Sequence, residues 1–279
     1  MTADGTLVLG GTGTTGRRVV ARLAGQGVPV RVGSRGGEPR FDWGDRSTWA
    51  PALHGVRAVY VVYPDLAYPG AASAVSSFAE LATARGARRL VLLSRRGDES
   101  AARGERALRA TCADWTILRS SWLAQGFSEG QFLEPVLAGL VALPARQVGE
   151  PFVDAGDVAE VAAAALTGDG HGGRVYELTG PRLLTFAEAV EELAEASGRK
   201  IAYRCVPIDD YMSLLTEKRV PVVFATLLTY LFSEVLDGRN AYIADGVRRA
   251  LGREPRDFAD YAREAAATGA WDRAKGEAR

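Results

Sequence analysis

The sequence predicts an α/β protein built on a doubly wound parallel sheet, with a smaller, mainly helical subdomain at its C-terminal end. Short apolar runs alternate with helical patterns over residues 6–178, which is typical of parallel strands joined by crossover helices. A glycine-rich turn joins the first of these strands to the first helix. From residue 208 onward, the pattern is helical. Together, these three observations favour one sheet domain followed by a helical part.

The first element is the segment Thr6–Leu9, which predicts a short buried strand that runs directly into the glycine turn. The residues that follow, Arg17–Gln26, carry apolar side chains on one helical face. Strand, glycine turn and helix in this order are the context of a dinucleotide-binding fingerprint and of a Rossmann fold. Two registers fit the same glycines: G-x-G-x-x-G starting at Gly11, and G-x-x-G-x-x-G starting at Gly10.

The glycine turn predicts a site for a pyrophosphate. Glycines let the chain turn tightly and let its amides approach the phosphates, which then lie at the positive end of the helix. The residues expected to make this contact are Gly10, Gly11, Thr12, Gly13, Thr14, Thr15 and Gly16. The alternative is a glycine-rich turn without a ligand, but the flanking strand and helix favour cofactor binding.

The end of the second predicted strand, Val28–Gly33, bears on the choice of cofactor. A NAD-binding fold usually places an acidic residue here to bind the ribose 2′-hydroxyl, whereas this chain has Ser34 and Arg35. A guanidinium can instead pair with a 2′-phosphate, so the sequence favours NADP (NADPH) over NAD. The alternative for Arg35 is a solvated loop arginine. Two further arginines can share the phosphate, Arg17 and Arg40.

The segment Phe41–Asp45 predicts a short third strand and turn. Within it, the Asp42 carboxylate can accept a hydrogen bond from the adenine amino group, and Trp43 can flank that ring. Two residues of this region can equally cap the short helix predicted over residues 48–53, namely Asp45 and Ser47.

Three further strands end at polar or aromatic residues. The strand Ala58–Val62 ends at Tyr63 and Pro64, Arg89–Leu93 ends at Ser94, and Trp115–Leu118 ends at Arg119, Ser120, Ser121 and Trp122. Helices predicted over residues 71–84 and 101–111 separate these strands. Because ligands bind at the carboxyl ends of parallel strands, we expect these residues on the same edge as the glycine turn.

After residue 122, the alternation of predicted strands and helices is less regular. The elements predicted there are a helix over Phe127–Leu143, a helix over 158–167 that Asp154 or Asp157 caps, strands Val175–Leu178 and Ile201–Val206, and a capping box of Thr185 and Glu188. We expect the capping role, rather than a catalytic one, for the two aspartates.

Residues 208–271 are predicted helical, and their aromatic side chains Tyr211, Phe224, Tyr230 and Phe232 either line an apolar pocket or fill the core. The predicted domains are a nucleotide-binding domain at 1–150, to which 151–180 contribute, and a substrate-binding subdomain at 181–279.

Composition argues against several classes of protein. The 34 basic and 34 acidic residues balance, which leaves no overall charge to attract nucleic acid or an anionic membrane. Two cysteines and two histidines are too few for a disulfide framework or a metal centre. The longest apolar run, Val220–Phe232, is too short to span a bilayer, and the first residues lack the pattern of a signal peptide. We expect a cytoplasmic monomer or homodimer whose partner is a hydrophobic small molecule.

With these residues in place, the chain resembles the NmrA-like branch of the atypical short-chain dehydrogenase/reductases, and within it a subgroup that includes the ergot-alkaloid reductases. The segments that carry the resemblance are FDWGDRSTWAPALHGVRAVYVVYP, DWTILRSSWL, PFVDAGDVAEVAAAAL and YELTGPRLLTFAEA. The resemblance extends from about Thr6 to Trp271. It implies an NAD(P)-binding fold, a small C-terminal substrate domain and a site at the nicotinamide end.

One departure from the wider family concerns the proton donor. Ordinary short-chain dehydrogenases use Tyr-x-x-x-Lys, in which the lysine lowers the pKa of the tyrosine so that it can protonate a carbonyl oxygen. Residues 95–114 contain neither tyrosine nor lysine, and none of the nine tyrosines has a lysine four positions on. Ser94 lies at the position of the usual catalytic serine, but the tyrosine and lysine that normally accompany it are absent. The residues expected near the reacting centre are Ser94, Tyr63, Ser121 and Trp122.

The sequence therefore predicts an NADPH-dependent reductase of secondary metabolism whose electrophile needs little acid assistance, such as an iminium, a quinone or an activated enone. An iminium becomes a neutral amine on receiving hydride, whereas a simple ketone develops a basic alkoxide. Two alternatives stay open: a redox sensor that binds NAD(P) without turnover, and a non-redox enzyme that catalyses a cyclisation, dehydration or isomerisation on the same fold.

Overall fold

The computed structural model describes residues 5–111 and 114–272. Cys112 and the first four residues, considered above, lie outside these ranges. The strands are β1 (Gly5–Leu9), β2 (Val30–Gly33), β3 (Val56–Val61), β4 (Arg89–Arg95), β5 (Asp114–Ser120), β6 (Leu140–Leu143), β7 (Arg174–Leu178) and β8 (Ala202–Cys205). The helices are α1 (Thr14–Gly25), α2 (Trp49–Ala52), α3 (Ala71–Ala84), α4 (Glu99–Thr111), α5 (Leu133–Ala138), α6 (Ala155–Thr167), α7 (Phe186–Ser197), α8 (Ile208–Glu217), α9 (Val222–Tyr230), α10 (Gly246–Leu251) and α11 (Phe258–Ala267).

Six strands form one parallel sheet in the order β2-β1-β3-β4-β5-β7. The chain moves outward from β1 to β2, returns to the other side of β1 with β3, and then continues outward to β7. Among the helices of this part of the chain, α1 packs against α6, and α3 packs against α4. The predicted doubly wound parallel sheet is confirmed. Its topological switch point lies between β1 and β3, and ligands of such sheets bind at the carboxyl ends of the strands there.

The chain divides into two compact units. The first unit comprises the residues up to Ser120 together with Ala155–Leu178 and Ala244–Glu254, and the second comprises Ser121–Asp154, Thr179–Ile243 and the residues from Pro255 onward. Each unit has its own apolar core. In the first unit, the core lies between the sheet and the helices α3 and α4, where Phe78 and Leu108 pack on strand residues such as Leu92.

The second unit is organised around aromatic side chains. Six phenylalanines form its centre: Phe127, Phe132, Phe152, Phe186, Phe232 and Phe258. The unit also contains a two-stranded parallel sheet, β6 with β8. Residues 121–150, which the sequence analysis placed with the nucleotide-binding domain, therefore group with the second unit. The reason is that β6 pairs with β8, some 60 residues later in the chain, and that Phe127 and Phe132 pack in the aromatic core.

Two predicted elements differ from the structure. Phe41–Asp45 forms no strand, only an isolated bridge between Asp42 and Asp45, because the Asp42 carboxylate accepts the Gly44 N–H and closes a local turn. Phe127–Leu143 is not one helix: α5 ends at Ala138 and is followed by Gly139, whose φ of +81° is left-handed, and β6 begins at Leu140. The predicted capping box at the start of α7 is confirmed: the Thr185 side chain accepts the Glu188 N–H, and the Glu188 carboxylate accepts the Thr185 N–H.

Within the described residues, none of the helices combines the length and the apolar character that a membrane crossing requires. Across residues 5–111 and 114–272, histidine, cysteine, aspartate and glutamate side chains form no group suited to holding a metal ion. Cys205, on β8, is exposed and makes no disulfide.

Candidate functional site

The carboxyl ends of the parallel strands bring most of the predicted site residues to one edge of the first unit. Gly10 and Ser34 directly follow β1 and β2, which pair through Leu9 and Gly33. On the other side of β1, residues 62–64 follow β3. Ser94 near the end of β4 lies in register with Arg119 on β5. The sheet therefore aligns the glycine turn, the Arg35 loop, the Tyr63 segment and Ser94 along a single edge.

The turn from Gly10 to Gly16 requires glycine for two reasons: one position has a positive φ, and others leave no room for a Cβ atom. Gly10 has a φ of +60°, and its N–H donates to the Gly33 carbonyl at 3.0 Å while its own carbonyl accepts the Gly13 N–H at 2.9 Å. At Gly16, a Cβ atom would lie 2.1 Å from the Gly10 carbonyl oxygen, and at Gly11 it would lie 2.8 Å from Cγ1 of Val32. The helix α1 can therefore start this close to β1 only without side chains at these positions.

This packing leaves the N-terminus of α1 open. Gly13 precedes the helix, so no side chain caps it, and the first turn contains no acidic residue. The structure gives no hydrogen bond for the backbone N–H groups of Thr14, Thr15 and Gly16, so these donors and the positive end of a 12-residue helix face the edge of the sheet. An anion such as a pyrophosphate fits this arrangement. The residues present thus suit a dinucleotide at the predicted position.

The loop after β2 carries two exposed arginines. Arg35 has no hydrogen bond or ion pair among the contacts of the described residues, although its charge is one of the smaller causes that lower the pKa of Asp42. Arg40 donates to the Asp42 carboxylate at 2.8 Å and lies 3.9 Å from the carboxylate of Asp45. The guanidinium of Arg35 is therefore available to an anionic ligand, whereas that of Arg40 is shared with two carboxylates.

Asp42 is held as an ionised acceptor. One carboxylate oxygen accepts the Gly44 N–H at 2.9 Å, and the other accepts the guanidinium of Arg40 at 2.8 Å. These hydrogen bonds keep the pKa of Asp42 below its usual value, the Gly44 bond contributing most. A second aspartate, Asp45, caps the short 3-10 turn that precedes α2 by accepting the Ser47 N–H. The adenine role proposed for Asp42 and the capping role proposed for Asp45 are therefore compatible.

Trp43 and Tyr63 lie against each other, with ring centroids 4.9 Å apart. The Trp43 indole N–H donates to the Val62 carbonyl at 2.9 Å, and its ring packs against Phe41 and Phe78. Both side chains are half-buried, so each keeps one part at the surface. Pro64, the next residue, is exposed. The pair forms a fixed aromatic wall beside the ends of β1 and β3.

Ser94 lies inside a buried ionic network. It is 5 % exposed, and its hydroxyl donates to Oε1 of Glu105 on α4 at 2.7 Å. The carboxylate of Glu105 also accepts Nε and Nη2 of Arg119, with a shortest distance of 2.7 Å, and these bonds raise the pKa of Arg119. Arg119 pairs in turn with Glu177 on β7 at 3.5 Å, and Arg96, 2 % exposed, pairs with the same glutamate at 3.3 Å.

Glu105 was not predicted from the sequence as a site residue. The available signal was its position on α4, four residues after Ala101 and three before Leu108, both of which are fully buried. A glutamate on the core face of a helix requires polar partners, and Ser94 and Arg119 are those partners.

Ser121 and Trp122 belong to the second unit and directly follow β5 in the chain. Ser121 is 6 % exposed, and Trp122 is half-buried. The Trp122 N–H donates to the buried carboxylate of Glu150 at 3.2 Å, and its carbonyl accepts the Val153 N–H at 3.0 Å. The centroid of its indole ring lies 5.8 Å from that of Phe132, with the rings stacked, and 5.2 Å from that of Phe232, with the rings tilted. The indole is thus a fixed, partly exposed face of the aromatic core.

The four aromatic residues expected in an apolar pocket divide into two groups. Tyr211 and Phe232 are 4 % and 5 % exposed and belong to the core, which is the alternative that the sequence left open. Phe224 is 38 % exposed and Tyr230 is half-buried, both on α9. Phe224 and Tyr230 therefore remain the candidates for contact with a ligand.

Comparison with known proteins gives relatives over nearly the whole chain, although no family model matches the sequence. The chain is 30% identical over 269 residues to uncharacterized oxidoreductase YesF of Bacillus subtilis, covering 92% of this chain and 93% of that protein. It is 31% identical over 281 residues to festuclavine synthase II of Penicillium roqueforti, covering 92% and 96%. It is also 31% identical over 280 residues to a (4-alkanoyl-5-oxo-2,5-dihydrofuran-3-yl)methyl phosphate reductase of Streptomyces griseus, covering 92% and 96%.

Solved structures share the fold at lower identity. The triphenylmethane reductase of Citrobacter sp. complexed with NADP(H) superposes with a TM-score of 0.73 at 20% identity, covering 94% of this chain and 99% of that one. NmrA, a negative transcriptional regulator in complex with NAD, superposes with a TM-score of 0.64 at 16% identity, covering 96% and 98%.

Proposed function

Because this chain belongs to the NmrA-like family of atypical short-chain dehydrogenase/reductases, we propose that it is an NADPH-dependent reductase of a hydrophobic small molecule. The observation that carries the proposal is the glycine turn. Because the turn has no side chains where it packs against β1, the N-terminus of α1 is open to a pyrophosphate. The oxidoreductase and reductase names of the relatives agree with a redox role.

The Arg35 loop supports NADPH rather than NADH. Arg35 is exposed and without an ion pair among the described residues, at the place where the ribose 2′-position of a dinucleotide lies in this kind of fold. The two residues that directly follow β2 are Ser34 and Arg35, and the first acidic residue of the loop is Glu38. A guanidinium binds a 2′-phosphate through charge-assisted hydrogen bonds, so NADPH gains an interaction that NADH lacks.

The residues of the chain hold the reactants and exclude water. A bound nicotinamide cofactor supplies a hydride, and the protein supplies position and environment. We assign the adenine amino group to Asp42, the adenine face to Trp43, and the nicotinamide end of the cofactor to Tyr63, Pro64 and Ser94. Ser121 and Trp122 are proposed to meet the substrate, the indole offering an apolar face that the aromatic core holds in place.

The substrate class follows from the missing proton donor. Residues 95–114, which contain α4, carry no tyrosine or lysine, so no side chain there matches the usual acid of the wider family. An iminium, a quinone or an activated enone accepts hydride with little acid assistance. The Streptomyces griseus relative is named as the reductase of a dihydrofuran in which the alkanoyl and the ring carbonyl groups are both attached to one carbon of the ring double bond, which is an activated enone.

The proposal is tested by mixing purified protein and NADPH with a panel of iminium ions, quinones and enones and following the loss of NADPH absorbance. We expect oxidation of NADPH with at least one class, and slower oxidation of NADH at the same concentration. A panel in which no compound is reduced, although NADPH binds with one molecule per chain, would contradict the reductase role.

That negative result would instead support a second candidate, a redox sensor that binds NAD(P) without turning it over. The observation that favours it is again the lack of tyrosine and lysine in residues 95–114. A sensor has no need of a proton donor, whereas it does need the intact glycine turn. A difference in affinity between the oxidised and reduced cofactor, measured by titration, would mark this role.

A further inference from the structure

In the second unit, the turn between α8 and α9 exposes apolar side chains. We call residues 216–224 the α8–α9 corner. Val222 and Val223, at the start of α9, are 80 % and 61 % exposed, more than any other large apolar side chain among the residues that the structure describes, and Phe224 is 38 % exposed. The helix itself, VVFATLLTY, contains no charged residue, so its first turn meets water without the polar groups that surface helices normally carry.

The three exposed side chains do not form one helix face. Successive residues of an α-helix are rotated by about 100°, so positions 222 to 224 spread over roughly 200° around the axis. A protein partner that binds a helix in a groove contacts residues three and four apart, along one stripe. In α9, the stripe of Ala225 and Leu228 is already buried in the core of the second unit. The exposed turn therefore fits a fluid apolar phase better than a rigid protein groove.

Two cations directly precede this apolar turn. Lys218 and Arg219 are exposed, and the structure gives neither side chain a hydrogen bond or an ion pair with a described residue. Glu217, also exposed, is the only acidic residue in the sequence between positions 211 and 233. Two cations against one acid leave the corner with a local excess of positive charge, although the charges of the whole chain balance. This sign is complementary to an anionic surface.

The backbone at Arg219 adds an argument for a cation at this place. Its φ of +54° is left-handed, and among the described residues Arg219 is the only one other than glycine with such a value. The N–H groups of Arg219 and Val220 donate to the carbonyls of Thr216 and Leu215, at 2.9 and 3.0 Å, which is the pattern that ends many helices at a glycine. An arginine here is strained where glycine would not be, so the side chain costs stability that its charge must justify.

We propose that the α8–α9 corner docks on the surface of an anionic phospholipid membrane. Val222 and Val223 enter the boundary between the headgroups and the acyl chains, where their burial is favourable, and Lys218 and Arg219 bind lipid phosphates. The protein lies on such a membrane and does not cross it. The inference goes beyond the proposed function and does not depend on it.

Co-sedimentation of the purified full chain with unilamellar vesicles tests the inference. Vesicles of equal parts phosphatidylglycerol and phosphatidylcholine should bind the protein at least about tenfold more strongly than vesicles of phosphatidylcholine alone. Salt at about 0.5 M should weaken this binding, because it screens the attraction between the cations and the lipid phosphates.

Variants of the corner separate the apolar contribution from the charged one. The double substitution Val222→Asp and Val223→Asp should weaken binding to the anionic vesicles by at least about tenfold, because it removes the apolar contact and adds negative charge. Lys218→Gln and Arg219→Gly should each weaken it by about fivefold. Arg219→Gly should at the same time raise the melting temperature, since glycine relieves the left-handed strain.

The matched controls lie elsewhere in the second unit. Ile243→Asp replaces an apolar side chain that is 53 % exposed and has no adjacent cation, and Lys200→Gln removes an exposed cation. Both should leave vesicle binding unchanged. Absence of binding to the anionic vesicles, or equal losses in the corner and control variants, would overturn the inference. A dimer in light scattering that the two valine substitutions dissociate would also overturn it, because the corner would then be an interface between two copies of the chain.

Discussion

Arg253 donates a hydrogen bond of 2.7 Å to the carboxylate of Asp157, a side chain with no exposed surface. The same guanidinium also binds Glu160 at 2.7 Å, and both acids lie on α6. Within the first unit, this contact ties the segment that contains α10 to the helix beside the sheet. Asp157 therefore has a structural role in the first unit, and its buried carboxylate is out of reach of a ligand.

We predict that Arg253→Met lowers the free energy of unfolding by about 3 kcal/mol, because it leaves the Asp157 carboxylate buried without this partner. Urea denaturation measures the change. The control is Arg248→Met, whose ion pair with Glu254 has both side chains more than half exposed, and which should change stability by less than about 0.5 kcal/mol. Equal effects of the two substitutions would show that the Asp157 contact contributes no more than a surface pair.

The glycine turn gives the second prediction. Gly16→Ala places a methyl group 2.1 Å from the Gly10 carbonyl oxygen, so the turn must shift and its amides lose their alignment. We expect the Kd for NADPH to rise by at least roughly thirtyfold, which corresponds to about 2 kcal/mol. Gly25→Ala, at the other end of the same helix with nothing within 4 Å of the new atom, should leave the Kd unchanged. Wild-type affinity in Gly16→Ala would remove the turn from the cofactor site.

The third prediction concerns selectivity between cofactors. Arg35→Ala should weaken NADPH binding by roughly ten- to a hundredfold and leave NADH binding within a factor of about two, because only NADPH offers a 2′-phosphate. Arg85→Ala, an exposed arginine after α3 at the opposite edge of the sheet, should change neither affinity. Equal losses for both cofactors in Arg35→Ala would assign the arginine to a group that NADH also carries.

Much of the predicted nucleotide-binding part could be predicted from the sequence because it depends on residues that are close together in the chain. A buried strand, a glycine turn and an amphipathic helix follow one another within about 20 residues, so the position of Gly16 was clear without any long-range contact. The failure at Phe41–Asp45 is also local: an apolar-aromatic pattern resembled a strand, but the Asp42 side chain competes for the Gly44 N–H and closes a turn.

The features that could not be predicted from the sequence depend on contacts between residues far apart in the chain. The break at residue 120 depends on β6 pairing with β8, and the sequence does not reveal that pairing because both strands are only four residues long. The direction of the Ser94 hydroxyl depends on Glu105, and only the three-dimensional structure shows that this glutamate faces Ser94. The end of a strand could be predicted, but what its side chain bonds to could not.

The fourth prediction concerns pH and the second unit. The hydrogen bonds from Arg182 hold the pKa of Asp257 below its usual value, at the N-cap of α11. Since the folded pKa is lower than the unfolded one, this group stabilises the fold above about pH 4, and the contribution is lost as the pH falls through the lower, folded pKa. Asp257→Asn should therefore cost about 1 kcal/mol at neutral pH and progressively less below about pH 4. A difference that persists undiminished in acid would contradict the ionic origin.

The central claim is that the glycine turn and Arg35 bind a phosphorylated dinucleotide. Isothermal titration calorimetry of the purified protein with NADPH and then with NADH tests it most directly. We expect one NADPH bound per chain, with an affinity roughly ten- to a hundredfold higher than that for NADH. Absence of binding heat from both cofactors, in folded protein and at more than one temperature, would contradict it.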